Sequence, residues 1–361
     1  MITFSLCMIV KNEESVLGRI LEPMREIADE IILVDTGSSD RTKEIAGKYT
    51  EKIFDYPWQQ DFAAARNFAC SRASCQYWMW LDADDMITPD NQKKLLRLKQ
   101  TMQPSADVIM MKYLTGFDES GRASLCYYRE RLLKNDGRFR WEGKVHEAVV
   151  PSGVIVWEPI EIEHRKLGAG DPDRNLNIYE AILREGGTLE PRHQYYYGRE
   201  LCAHGRYGEA AEVLEHFLAE PDGWKENRID ACLQLALCRE ALGDPEGGLR
   251  ELFRSFLYDL PGAEACCEIG RRMMVWEKWA QAAFWYEQAL RAPGERPGAF
   301  VRQECREYLP YIQLCVCYDR LGEHERAYSF HEKTRALRPD APEVRSNQQY
   351  FETWFPELVS G

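Results

Sequence analysis

The sequence predicts two dissimilar bodies: an α/β domain built on a mostly parallel sheet, then an all-α domain of helix-pair repeats. Three observations carry this reading. Apolar runs of strand length alternate with segments of helical spacing over roughly the first hundred residues. Those runs end in polar clusters. Beyond Arg192 a short motif recurs every 34 to 45 residues. With 361 residues, each half is long enough to bury its own core.

Residues 2–10 form a continuous apolar run, a buried strand, and residues 14–27 have helical spacing. Residues 30–35 read as a second buried strand ending in a polar turn, 40–48 as a helix and 52–55 as a short strand. Residues 62–74 place small and apolar side chains on one helical face, and 77–81 form a buried strand running into Asp82-Ala83-Asp84-Asp85. This β-α-β-α-β-α-β order implies a sheet covered on both sides, with ligands collecting beyond the carboxyl ends of the strands. Three polar clusters sit at such ends: Lys11-Asn12-Glu13, residues 35–40 and residues 82–85.

Residues 107–164 are richer in strand signals. Residues 108–113, 125–133 and 154–164 alternate or carry β-branched and aromatic side chains, separated by turns at Glu119-Ser120-Gly121 and Asn135-Asp136-Gly137. They are expected at the edge of the same domain. Residues 167–172 read as a mobile connector. The predicted organisation is an α/β domain over 1–170, a connector helix over 171–191 and helical repeats over 192–361. In the repeats Gly205-x-Tyr207-x-x-Ala210, Gly243-x-Pro245-x-x-Gly248, Glu277-x-Trp279-x-x-Ala282 and Gly322-x-His324-x-x-Ala327 align, as in tetratricopeptide-type helix-turn-helix units. Small residues at the aligned position let two helices approach, and residues 343–355 would form a capping helix.

Composition narrows the function. A formal net charge of −13 repels polyphosphates, so nucleic acid is not expected as a partner. The opening residues show no leader pattern and no apolar run reaches the length of a membrane span. A cytoplasmic protein with reduced thiols is expected. None of its twelve cysteines has paired zinc-site spacing, and most serve as small core residues.

The chemistry concentrates in the three clusters. Asp82, Asp84 and Asp85 would repel one another unless a cation or a set of donors neutralised them. A hard divalent ion shared with substrate phosphates fits, and it would stabilise the charge building on a departing diphosphate. Asp35 suits acceptance from a base N–H or a sugar hydroxyl, with residues 38–40 capping the next helix; an ordinary turn accounts for Ser39 and Asp40 equally well. Asp61 caps the helix carrying Arg66 and Asn67, and Arg66 either pairs with the acidic cluster or reaches the diphosphate.

Cys7-Met8-Ile9-Val10-Lys11-Asn12-Glu13-Glu14, Val34-Asp35-Thr36-Gly37-Ser38-Ser39-Asp40, Asp61-Phe62-Ala63-Ala64-Ala65-Arg66-Asn67 and Leu81-Asp82-Ala83-Asp84-Asp85 together resemble the ordered signature of family-2 glycosyltransferases of the GT-A fold. The string Arg131-Leu132-Leu133-Lys134, then Arg140-Trp141-x-Gly143-Lys144-Val145-His146-Glu147, with His164 and the repeats, resembles the subgroup with tetratricopeptide-like C-terminal domains, which includes enzymes that glycosylate bacteriocin peptides on cysteine. The resemblance implies that the turn from Val10 to Asn12 and Asp35 embrace the nucleotide base, that Asp82 meets ribose or sugar with Ala83 beside it, and that Asp84 and His164 hold Mn²⁺ or Mg²⁺. It implies a UDP-sugar donor, with Arg66 in the same nucleotide-sugar set.

The family's usual acidic pair for the catalytic base is absent, and His146-Glu147 occupies its place in chain order. Inverting transfer needs such a base opposite the leaving group; Glu147 is the first candidate and His146 the second, on opposite faces if the segment is extended. Trp141 and Gly143 would shape the acceptor side, either as a platform or as core. Arg165, Lys166 and Arg174 flank the connector, which would close over the diphosphate. The repeats would present a groove with Tyr195–Tyr197 near its entrance to a peptide or protein acceptor; the tyrosines equally suit helix packing. A glycan or lipid-linked acceptor stays open, as do homo-oligomers. The rival classes are a repeat-based interaction protein with a dead α/β domain and a nucleotidyltransferase, which would be expected to show a glycine-rich phosphate loop after the first strand.

Overall fold

The computed structural model describes residues 1–117, 121–167, 171–293 and 301–360. Glu119 and Ser120 of the expected turn and residues 168–170 of the expected connector lie outside the described residues. The chain divides into two compact units, Met1–Leu189 and Glu190–Gly361.

The first unit opens with β1 (Phe4–Val10), α1 (Leu17–Ile27), β2 (Glu30–Asp35), α2 (Thr42–Ala46), β3 (Ile53–Asp55), α3 (Phe62–Cys70) and β4 (Tyr77–Trp80). All seven elements follow the predicted order, with helices a few residues shorter than the periodicity suggests. β5 (Asp85–Met86), α4 (Pro89–Thr101), β6 (Val108–Phe117), β7 (Ala123–Lys134), β8 (Trp141–Glu142), β9 (Ala148–Val149), β10 (Ile155–His164) and α5 (Arg174–Arg184) complete it. β1 shows why the apolar runs are strands. Its residues alternate between faces, Leu6 and Met8 packing with Leu17, Leu21 and Met24 of α1, and Cys7 packing with Ala63 and Ala69 of α3.

The main sheet runs β3-β2-β1-β4-β7-β6-β10-β5. Its first four strands are parallel. β7 then enters antiparallel to both β4 and β6. The sheet is therefore mixed rather than mostly parallel, and the strand-rich stretch is no edge: β7 lies at its centre. A long hairpin of β6 and β7 can insert there because Leu132 and Leu133 meet Met79 and Trp78 across the ladder. At the far side β10 pairs with β6 in parallel and with β5 in antiparallel, setting His164 opposite Asp85. That pairing folds the acidic turn after β4 back onto the end of β10.

In the second unit α6 (Pro191–Ala203) pairs with α7 (Tyr207–Ala219), α8 (Lys225–Ala241) with α9 (Pro245–Arg254), α10 (Ala263–Val275) with α11 (Trp279–Arg291) and α12 (Tyr308–Arg320) with α13 (His324–Leu337). α14 (Pro342–Trp354) and α15 (Pro356–Ser360) follow. The four aligned motif positions open each inter-helix turn in the left-handed region, at φ +70° for Gly205, +83° for Gly243, +56° for Glu277 and +79° for Gly322. The aligned Ala210, Ala282 and Ala327 are fully buried. At Gly248 a Cβ would stand 2.7 Å from the Ala236 carbonyl oxygen, so the second pair needs a glycine there. Seven residues before each turn lies another small residue, Gly198, Ala236, Gly270 or Cys315, a regularity that the motif alignment leaves out. Tyr195, Tyr196 and Tyr197 are buried, at 0%, 9% and 8% exposure, and belong to helix packing rather than to a groove entrance. Every cysteine is a free thiol, and all but Cys70 and Cys75 are buried.

Candidate active site

The turns after β1 and β2 are stitched together by backbone donors. Asn12, at φ +56°, donates its N–H to Ser38 Oγ at 2.9 Å, and Asn12 Oδ1 accepts from Ser39 N at 2.8 Å. Glu13 N donates to Thr42 Oγ1 and Glu14 N to Asp40 Oδ2. Asn12 thus spends its side-chain oxygen on the loop, and Asp40 its carboxylate on Thr42 and Glu14. Val10 is buried in register with Asp35. Asp35 is different: Oδ2 accepts from Gly37 N and Ser38 N, while Oδ1 is buried with no partner among the described residues. Gly37, at φ +106°, permits that tight wrap around the carboxylate. A buried acceptor so fixed and half-used is suited to a ligand N–H or O–H.

The acidic turn after β4 sorts its carboxylates by environment. Asp85 is wholly buried and fully occupied. It takes Arg131 Nη1 at 3.1 Å, the Tyr113 hydroxyl at 2.9 Å and Asp82 N at 3.0 Å. Arg131, itself wholly buried, lies 3.7 Å from the Trp80 ring centre and 4.2 Å from that of Tyr113. Asp84 and His164 face one another, with His164 Nδ1 3.2 Å from Asp84 Oδ1 and 3.4 Å from Asp85 Oδ1. Burial lowers the His164 pKa, but the hydrogen bonds to Asp84 and Asp85 outweigh it and lift it to about 10. Arg19 Nη2 donates to the Asp84 and Arg165 carbonyls, both at 3.0 Å, holding the two ligand-bearing segments side by side. Glu13 carries the field of this cluster. Burial, then the Asp84, Asp82 and Asp40 carboxylates, push its pKa to about 7.

These residues fit a divalent cation. Asp84, Asp85 and His164 bring ligand atoms within 4.8 Å of one another, and such an ion would offset the carboxylates that, after burial, raise the Glu13 pKa. Asp85 is engaged by Arg131, which leaves Asp84 and His164 as the candidate ligands. Ala83 is buried between the two aspartates.

The third group surrounds Arg66. Asp61 caps α3 by accepting from Ala64 N at 2.8 Å, and one turn on, Arg66 packs against the rings of Trp80 and Trp141, 4.9 Å from each centre. Its Nη2 donates to Asp82 Oδ1 at 2.7 Å and its Nε to Glu147 Oε1 at 2.6 Å. Burial works against ionised Asp82, but Arg66 and Arg131 outweigh it and draw its pKa down to about 2. Trp141 is 3% exposed, a wall of the arginine's cage and not an open platform. His146 and Glu147 do not lie on opposite faces of an extended segment: His146 is left-handed, at φ +50°, in the bend between β8 and β9, and its ring stacks on Tyr179 at 6.2 Å.

Of the residues singled out in the sequence, the structure brings Asp82, Arg66 and Glu147 into one chain of ion pairs, and Asp84 and His164 into another cluster. Tyr113, Arg19 and the field on Glu13 escape sequence reasoning, as does the role of Arg131, which the sequence shows only as part of the family-like string, beside the equally charged Arg129 and Glu130.

Residues 5–155 match the family model Glycosyl transferase family 2, so the first unit carries a family-2 glycosyltransferase domain, followed in the second by tetratricopeptide-like repeats. The chain is 35% identical over 146 residues to a TPR repeat-containing protein of Synechococcus elongatus, covering 40% of this chain and 35% of that protein. It is 25% identical over 253 residues to the SPbeta prophage-derived glycosyltransferase SunS of Bacillus subtilis, covering 64% of this chain and 58% of that one. The lipopolysaccharide core biosynthesis glycosyltransferase LpsC of Rhizobium meliloti is 27% identical over 210 residues, covering 54% and 72%. The chain thus spans between a third and three fifths of the length of the first two relatives. Among solved structures, Staphylococcus aureus TarS matches weakly, at TM-score 0.38 and 15% identity over 68% of this chain and 54% of that one.

Proposed function

We propose that the chain is an inverting glycosyltransferase that moves a sugar from a UDP-sugar to an acceptor held by the repeats, a peptide or protein side chain. The observation that carries this is the convergence of Asp84 and His164, from the ends of β4 and β10, beside Asp82. A divalent cation bound there would neutralise charge on the departing diphosphate. Asp35 offers its unpartnered Oδ1 to the base, where an N–H such as that of uracil is the matching donor. Asp82, held ionised, accepts from a ribose or sugar hydroxyl. An acceptor hydroxyl or thiol attacks the anomeric carbon, the bond to the diphosphate breaks, and the bend carrying His146 and Glu147 supplies the group that takes the proton. Arg165 and Lys166 supply positive charge next to His164.

A second reading, a glycan or lipid-linked acceptor, draws support from the lipopolysaccharide core relative, of which the chain covers 72%. No helix among the described residues is long and apolar enough to cross a membrane. Incubating the purified chain with UDP-sugars and Mn²⁺ should release UDP, and a chelator should stop it. A chain that releases none with any UDP-sugar or acceptor, peptide or glycan, is not this enzyme. Mass spectrometry of candidate acceptors then separates the two readings.

A further inference from the structure

Arg66 does not reach outward. Its guanidinium lies 4.9 Å from the ring centres of Trp80 and Trp141, which themselves meet edge to face 5.0 Å apart, and the residue is 8% exposed. One edge is divided between two carboxylates from distant segments: Asp82, at the end of β4, and Glu147, in the bend after β8. The remaining nitrogen, Nη1, is buried without a hydrogen-bond partner among the described residues. The same helix grips the bend twice more. Phe62 N donates to the Lys144 carbonyl at 2.9 Å, and Asn67 exchanges bonds with both backbone groups of Trp141, each at 2.9 Å. Glu147 is therefore the end of a rigid strut whose other end is the donor-facing aspartate.

Resting on the donor-site reading above, we propose that Glu147 is a positioning residue and not the proton acceptor. Through Arg66 it fixes the carboxylate of Asp82 in the rotamer that meets the donor. The physical reason is the geometry of one cation shared by two anions. Protonating Glu147 during transfer would leave the buried guanidinium with half its counter-charge. A lysine could not serve, because only the planar fork addresses two carboxylates from one edge.

The test compares Glu147→Gln, Arg66→Lys and the double variant, by calorimetry of UDP with Mn²⁺ and by steady-state kinetics against pH. Glu147→Gln should weaken the donor, raising its KM about tenfold, with kcat reduced far less and the acidic limb of the pH profile retained. Arg66→Lys should do the same, and the double variant should be no worse than Arg66→Lys, since both break one strut. If Arg66→Lys proves unstable, Glu147→Gln alone decides. A donor KM unchanged in Glu147→Gln, with kcat collapsed and the acidic limb gone, makes Glu147 the base and overturns the proposal. Wild-type protein that binds no UDP overturns the functional reading, and the proposal with it.

Discussion

The two ends of the parallel half of the sheet treat buried acids in opposite ways. At the amino end Glu30, the first residue of β2, is enclosed by partners: the Ser5 hydroxyl, the Ser74 N–H and hydroxyl, and the Lys52 ammonium. Burial alone would raise its pKa, but those hydrogen bonds hold it at about 2. At the carboxyl end burial, and then the neighbouring carboxylates of Asp84, Asp82 and Asp40, raise the Glu13 pKa to about 7. The first is a carboxylate the fold satisfies for its own stability. The second is raised by burial and by carboxylates gathered at one end of the sheet, an arrangement that marks a candidate site.

The largest effect should come from removing a ligand at the carboxyl end. Asp84→Ala is expected to lower metal-dependent transfer by on the order of a hundred- to a thousandfold while leaving the fold intact, as circular dichroism and thermal melting would show. His164→Ala should weaken Mn²⁺ by about 10- to 100-fold. Full activity in Asp84→Ala would erase the distinction between the two ends.

Stability against pH sharpens the comparison, because the two acids should respond with opposite signs. Glu30 has a folded pKa below its unfolded value of 4.5, so its contribution is present above about pH 4.5 and is lost as pH falls toward about 2. Glu30→Gln should therefore destabilise the protein by about 2 kcal/mol at pH 7, with the deficit closing in acid. Glu13 has a folded pKa raised from 4.5, so ionising it in the folded state costs stability as pH rises from 4.5 through about 7. Glu13→Gln should stabilise the chelated protein at pH 8 by about 1 kcal/mol, a figure already reduced for its half-exposed position. Below pH 4.5 the gain should vanish, and saturating Mn²⁺ should shrink it. Urea denaturation across pH would check both; equal signs would contradict the contrast.

Much of this was legible in the residues. Strands with both faces covered need continuous apolar runs, and β1, β2 and β4 have them, each ending in a polar turn whose chemistry could be read without coordinates. What was illegible depends on partners far along the chain. β7 reads as an ordinary amphipathic strand, and nothing local says that it enters beside β4 instead of lying outside. Trp141 reads as a platform until Arg66 arrives against it from α3. Asp84 and Asp85 look equivalent in the string, and only the burial of Arg131, more than forty residues later, assigns one to the protein interior and leaves the other for a ligand.

Backbone strain gives the smallest test, and it separates site from scaffold in the same way. Asn12, at the carboxyl end of the sheet, and Glu277, in the turn between α10 and α11, share the same left-handed φ of +56°. Glu277 occupies the position that is glycine in the other three repeat turns, and its side chain is exposed. Glu277→Gly should relieve the Cβ clash and stabilise the repeat unit by about 0.5–1 kcal/mol, read as a small rise in melting temperature. Asn12→Gly would have the same backbone gain, yet it discards the acceptor for Ser39 N, so no net stabilisation is expected and donor binding should weaken as the two turns lose their stitch. If Asn12→Gly stabilised the chain as much as Glu277→Gly and left UDP binding unchanged, Asn12 would be scaffold too, and the strain after β1 would have no bearing on the site.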